Sequence, residues 1–146
     1  MLSEIPQVLL DYIDGLKRHD VDGIAETVSD DVAFITPTRR ITKEPFLQML
    51  RAIYTGFPDW HYRHDPPELR GDSVAVRWHQ RGTHTGTFDM PGMAPIMATG
   101  RMVQIPAQYF AYRVRDGKII EICPEPIPGG APGGILSQIG VSSPPL

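Results

Sequence analysis

Glu125 stands between Pro124 and Pro126, whose fixed φ angles stiffen the backbone that carries it. A carboxylate held against apolar walls would have its pKa raised into the range that moves protons at neutral pH. In water it would be an ordinary solvated acid. Gln108 alternates with Phe110 and Tyr112 along one stretch, which places the three on one face of a strand. If that face turns inward, the amide can donate to a carbonyl or enolate oxygen; turned outward, it is a surface amide.

Four of the five histidines, His61, His64, His79 and His84, fall close together on or near strand-like segments. Neutral imidazole is the natural base near pH 7 and the commonest metal ligand. No histidine pair repeats with a neighbouring carboxylate, so no metal site is expected. His79 alternates in phase with Arg77 and Arg81, which points to a sheet exterior or a subunit interface. His84, in a Thr-His-Thr-Gly stretch, is the better candidate for a pocket or rim group. Trp60 and Trp78 are expected mainly as wall. Met90, Met93 and Met97 are soft side chains that suit a pocket lid, or equally fill space under a loop. The glycine-rich segment from Pro128 to Gly134 lacks the Lys and Ser/Thr of a phosphate loop.

The elements that would position these groups can be read from periodicity. Ile5, Val8, Leu9, Tyr12, Ile13 and Leu16 recur at helical spacing, with Ser3 as N-cap and Pro6 in the first turn. A second, short helix is expected over residues 22–28, ended by Ser29, Asp30 and Asp31. Residues 32–36 read as a strand stopped by Pro37. A third helix starts from Thr42, with Phe46, Met49, Leu50, Ile53, Tyr54 and Phe57 on one face. Strands are then expected over 61–64, 73–82, 83–89, 101–115 and 118–123, with Asp116 and Gly117 as the hairpin turn. Residues 90–98 read as a loop. Helices first and a strand meander afterward predict an α+β domain with one-sided helices laid on a curved sheet.

At 146 residues the chain fits one domain, and 41% hydrophobic against 21% charged residues marks it as globular. A net charge of −3 with scattered basic residues excludes a phosphate-neutralising nucleic-acid surface. No apolar run reaches the roughly 20 residues of a membrane helix, and the N-terminus lacks the marks of a secretion signal. Cys123 is the single cysteine, which rules out an internal disulfide. A cytoplasmic location and a small-molecule or protein partner are the expectations. The Pro/Gly-rich segment 124–146 is read apart from the domain at 1–123, as a strap that either closes the pocket or dangles, with one short helical turn at Ile135–Ile139.

Several runs together resemble one family. These are Phe57-Pro58-Asp59, GDSVAVRW from Gly71, RGTHTG from Arg81, Gly100-Arg101, YRVRDGKIIE from Tyr112 and LSQIG from Leu136. In this order they are similar to the SnoaL-like polyketide cyclases, or ester cyclases, of the nuclear-transport-factor-2-like (NTF2-like) superfamily. The resemblance implies an α+β cone around a largely apolar pocket, no cofactor, and a homodimer joined through a sheet face. It further implies one carboxylate after the final strand as acid/base for an intramolecular aldol closure, and a glutamine on the long strand that holds the enolate. Counted from the Asp116-Gly117-Lys118 turn, the glutamine is Gln108, while the acid's position holds Pro124 with Glu125 next to it. A family histidine two positions beyond the glutamine is replaced by Phe110.

The expected protein is a cofactor-independent acid/base enzyme acting on a small hydrophobic carbonyl compound, polyketide- or terpenoid-like, by cyclisation or isomerisation. Glu125 would move the proton, and Gln108 and His84 would hold the oxyanion. Trp60, Trp78, Met93, Phe110 and Tyr112 would bind substrate. An epoxide or lactone hydrolase of the same fold is the second reading, although it needs two carboxylates and an arginine in the cavity. Arg113 and Arg115 are out of phase with that face. A non-catalytic dimeric binding module is the third.

Overall fold

A computed structural model describes residues 3–141. The chain runs α1 (Gln7–Arg18), α2 (Val21–Thr27), β1 (Val28–Ile35), β2 (Arg40–Ile41), α3 (Lys43–Gly56), β3 (His61–His64), β4 (Glu68–Arg70), β5 (Ser73–Thr83), β6 (Met102–Arg115), β7 (Lys118–Pro124) and α4 (Gly133–Gln138). The strands form one sheet in the order β2-β1-β7-β6-β5-β3, with β4 also on β5. All neighbours are antiparallel except β1 and β7. This is the α+β cone that the sequence implies.

The helices lie on the sheet through the predicted stripes. Leu9, Tyr12, Ile13 and Leu16 of α1 are buried, as are Phe46, Met49, Leu50 and Ile53 of α3. Each such side chain contributes about 1.5–3 kcal/mol on leaving water, so a charge at Leu9 or Leu50 would undo the layer. The first helix begins later than its pattern implies, with Pro6 rather than Ser3 at the cap. Proline lacks the N–H that a helix interior needs, and the cap position does not require it. His19 ends α1 in the left-handed region (φ 55°). Its ring stacks on Tyr54 at 4.0 Å, and its Nε2 donates to the Trp60 carbonyl at 2.7 Å. One residue thereby ties α1, α3 and the start of β3.

Three segments differ from the sequence expectation. The helix α2 ends before the acidic run Ser29, Asp30 and Asp31 as expected, but β1 begins earlier than residue 32 and takes in the run, where both aspartates face solvent and keep their hydration. The short strands β2 and β4 lie where no element is expected. Residues 83–89 do not form a separate strand: β5 absorbs Thr83, and residues 84–89 are loop with a single bridge from Phe88 to Ile96. The reason is local. The Thr85 and Gly86 N–H groups both donate to the Gly56 carbonyl, at 3.2 and 3.0 Å, so this stretch docks on the end of α3 instead of the sheet. Gly86 is essential to that approach, because a Cβ there would lie 2.1 Å from the Thr55 carbonyl oxygen.

A bulge sets which residues of β6 face inward. Trp78 pairs with Gln108 but Gln80 pairs with Ile105, so β6 carries one residue more than β5. Inward positions accordingly pass from Val103 and Ile105 to Gln108, Phe110 and Tyr112, changing phase at Pro106 and Ala107. Proline inside a strand is found at bulges because it cannot donate to the ladder.

Candidate active site

Inside the cone lies a cavity of about 40 Å³. Leu16, Phe34, Phe46, Met49, Leu50 and Ile53 supply much of its wall, together with Phe110 and Trp78. Its polar lining is Tyr12, Tyr62, Gln80 and Tyr112. The Trp78 Nε1 donates to the Tyr112 hydroxyl at 2.9 Å, and the Trp60 Nε1 donates to Gln80 Oε1 at 3.2 Å. The Tyr54 and Tyr62 hydroxyls bond at 2.8 Å. Loss of water around their hydroxyls pushes the phenols of Tyr12, Tyr54, Tyr62 and Tyr112 well above the ordinary tyrosine pKa. At neutral pH every polar group in the cavity is therefore uncharged.

The cavity ends at the C-terminal segment. Ala131, Pro132 and Ile135 form part of its lining, and Ile135 is almost fully buried. On the far side of Ala131 and Pro132 is an outer cleft of about 350 Å³, which Gln108, Glu125, Thr36 and Ile127 also line. Gln108 is buried and spends its amide on main chain: Nε2 donates to the Glu125 carbonyl at 2.8 Å and to the Ala131 carbonyl at 3.4 Å. Its Oε1 accepts the Ala131 N–H at 2.9 Å. Glu125 is exposed, and its Oε1 accepts the Tyr109 N–H at 3.3 Å. The sequence expectation of a carboxyl buried in the cone is not what the chain shows, because Glu125 lies just past the end of β7, with its carboxylate turned onto the Tyr109 N–H.

The structure therefore divides the expected site residues. Trp78, Phe110 and Tyr112 line the inner cavity, whereas Gln108 and Glu125 meet in the outer cleft. Trp60 is buried and reaches the cavity through Gln80. His84 is fully buried outside the cavity lining, stacked on Phe57 with centroids 5.1 Å apart. The Thr99 N–H donates to its Nδ1 at 3.2 Å, which leaves the neutral ring's proton on Nε2. Burial lowers the His84 pKa. Met93 is half-buried, and neither it nor Met90 lines the cavity, while Met97 is exposed. Met90 and Met93 pack against the core beneath the loop, and Met97 does not. His61, His79, Arg63 and Arg81 sit as cross-strand neighbours on the outer sheet face, where Asp65 accepts from His79 at 3.1 Å. Among the described residues no group of three or more His, Cys, Asp or Glu side chains is placed to hold a metal ion.

Sequence reasoning misses Tyr12, Tyr62 and Gln80 as cavity groups. A tyrosine within an otherwise aliphatic helical stripe is the available signal for Tyr12, since its hydroxyl must find a partner when the face is buried. Tyr62 and Gln80 are directly paired across β3 and β5, a register that no single segment reveals.

A one-sided curved sheet, covering helices and an apolar interior define the protein as an NTF2-like cone. Residues 9–122 match the model of the SnoaL-like domain, and the chain belongs to that family. Similar solved structures share the fold at low identity. A proposed polyketide cyclase from Xanthomonas campestris pv. campestris is 18% identical, with a TM-score of 0.68 over 92% of this chain and 95% of that one. IdmH, a proposed polyketide cyclase from Streptomyces antibioticus, is 22% identical, with a TM-score of 0.64 over 82% and 88%. AclR, a proposed hydroxylase from Streptomyces galilaeus, is 21% identical, with a TM-score of 0.65 over 82% and 72%. No curated protein matches this chain significantly in sequence. Among the described residues, no helix is long and apolar enough to cross a membrane.

Proposed function

We propose that the protein is a cofactor-independent acid/base enzyme acting on a small hydrophobic carbonyl compound, polyketide- or terpenoid-like, by cyclisation or isomerisation. The observation that carries this reading is the adjacency of an apolar, neutral cavity to a cleft holding Glu125 and Gln108, the two sharing Ala131 and Pro132 in their walls. A cavity of about 40 Å³ is far below the roughly 300–1,000 Å³ of sites that enclose drug-sized ligands. Substrate entry thus requires the C-terminal segment to withdraw, which joins the two spaces. The Glu125 carboxylate then takes a proton from the carbon next to the carbonyl, and the electron pair moves onto oxygen as an enolate. The freed Gln108 amide donates to that oxygen. Returning the proton to a different carbon completes an isomerisation. Attack of the enolate carbon on a second carbonyl completes a ring, with Glu125 protonating the new alkoxide.

The test is deuterium exchange at the activated carbon of aromatic β-diketones, followed by NMR. Glu125→Gln should lose most of the exchange and keep ligand affinity. Unchanged exchange in that variant removes Glu125 from the chemistry.

A second reading, a binding module without catalysis, is favoured by one observation: the inner cavity's lining contains no Asp, Glu or His. The same lining counts against an epoxide or lactone hydrolase, which needs two carboxylates and an arginine there. A homodimer, on family grounds, and a cytoplasmic location, as the default from sequence, remain part of the proposal. Equilibrium sedimentation tests the dimer.

A further inference from the structure

On the outer face of the sheet lies an open cleft of about 720 Å³. Its charged lining is His61 and Arg63 of β3 with His79 and Arg81 of β5. The register sets His61 opposite Arg81 and Arg63 opposite His79. Directly opposed residues lie roughly 4.5–5.5 Å apart, and diagonal ones such as Arg63 and Arg81 roughly 7–8 Å. Two guanidinium groups on long stems can therefore close on one small anion. The β6 bulge shapes the other side of the cleft, setting Pro106 and Ala107 against His79 alone. An extra residue of this kind bends its strand and re-aims the neighbouring side chains.

No carboxylate belongs to this lining. Asp65 is shared between His79 at 3.1 Å and Arg77 at 3.5 Å, and the Asp59 carboxylate accepts the Thr83 N–H at 2.7 Å. Arg70, Arg77 and Arg113 on the same sheet each pair with an acid. Arg63 and Arg81 form no ion pair among the described residues. The one face thus gathers unneutralised cations in a chain whose net charge is −3.

We propose that this cleft binds the phosphate group of a small molecule, clamped between Arg63 and Arg81. The charge of the lining selects an anion, and its layout selects among anions. A carboxylate has two oxygens, which one guanidinium fork already engages. A phosphate monoester has three terminal oxygens, enough to face both arginines and the His61 N–H together. Pro106 and Ala107 leave an apolar side for the body of an ester. A second copy of this chain is the wrong occupant, because a twofold contact here would set arginine against arginine. The cleft shares no residue with the one that holds Glu125, so the site does not depend on the acid/base reading.

Inorganic phosphate, phenyl phosphate and benzoate are titrated at constant ionic strength, with the arginine Nε–H signals followed by NMR. Both phosphates should shift the Arg63 and Arg81 signals saturably and bind at least about tenfold more tightly than benzoate. Arg63→Gln and Arg81→Gln should each weaken phosphate binding about tenfold, the loss of one charge-assisted hydrogen bond. Arg113→Gln removes an equal charge at the far end of β6 and should change the affinity by less than about twofold, because salt screens a distant charge. All three arginines are exposed, so each variant keeps the fold. No saturable shift, benzoate binding as tightly as phosphate, or an equal loss in Arg113→Gln would each overturn the proposal. Tighter binding of phenyl phosphate than of inorganic phosphate supports an ester as the occupant, and the reverse order supports the free ion in the same site.

Discussion

The Gln108 side chain and the Ala131 main chain are bonded in both directions: the Ala131 N–H donates to Oε1 at 2.9 Å, and Nε2 donates back to the Ala131 carbonyl at 3.4 Å. With the bond from Nε2 to the Glu125 carbonyl, one buried amide holds both ends of the segment that separates cavity from cleft. Replacing it with alanine strands the partners on the main chain, at a cost of about 1–3 kcal/mol. In Gln108→Ala, amide hydrogen exchange across residues 127–135 should rise sharply while β5 and β6 stay protected. Unaltered exchange in the segment would mean that apolar packing alone retains it.

Ile135 supplies that packing. It is 1% exposed and lines the cavity from α4. Ile135→Ala should cost about 2–5 kcal/mol in urea denaturation, since the cone cannot collapse onto the space it leaves. The same variant should admit larger aromatic probes. A loss well under 1 kcal/mol would show that α4 contributes little to closure.

Gly86 and Gly92 separate crowding from backbone strain. An added Cβ at Gly86 meets the Thr55 carbonyl oxygen at 2.1 Å, whereas at Gly92 (φ +81°) it meets nothing within 4 Å. Gly92→Ala should therefore cost only the left-handed strain, about 1–2 kcal/mol. Gly86→Ala must also push the loop off α3, and overpacking of this kind adds about 1–3 kcal/mol. Thermal denaturation should rank Gly86→Ala as clearly the more harmful. Equal melting temperatures would contradict the docking of residues 85–86 on α3.

His84 gives the fold a pH dependence. Its folded pKa is lowered by burial, so the unfolded chain binds the proton more readily, and stability rises with pH where the two states differ. The contribution is complete above the unfolded pKa of about 6.5 and is lost as the pH falls below it. The melting temperature should drop between pH 7 and pH 5 in the wild type, and less so in His84→Leu. An identical drop in both proteins would assign the effect to other groups.

The helices are legible from sequence because their stripes are local: Leu9 to Leu16 and Phe46 to Ile53 need no knowledge of the rest of the chain. The inward face of Gln108, Phe110 and Tyr112 is legible too, as simple alternation. The division of the site is not. It depends on where residues 127–135 lie in space, and a Pro/Gly-rich segment carries no periodicity that would say. His84 departs from expectation for a related reason, since the family-like motif around it marks the loop's attachment to α3 rather than the cavity. Glu125 can be placed beside the site from sequence, but the direction its flanking prolines impose emerges only in the folded chain.

The parallel pairing of β1 with β7 has a consequence for how the chain reaches this state. Val28 and Phe34 in the first strand find their partners in Ile119 and Ile122, most of a chain length later in synthesis. Until that late strand arrives, one edge of β1 carries unpaired main-chain groups and apolar side chains. Long-range pairings of this kind slow folding, and such exposed edges associate with other chains. For the nascent protein the hazardous interval thus spans most of translation, and it closes only shortly before the plug of the cone is made.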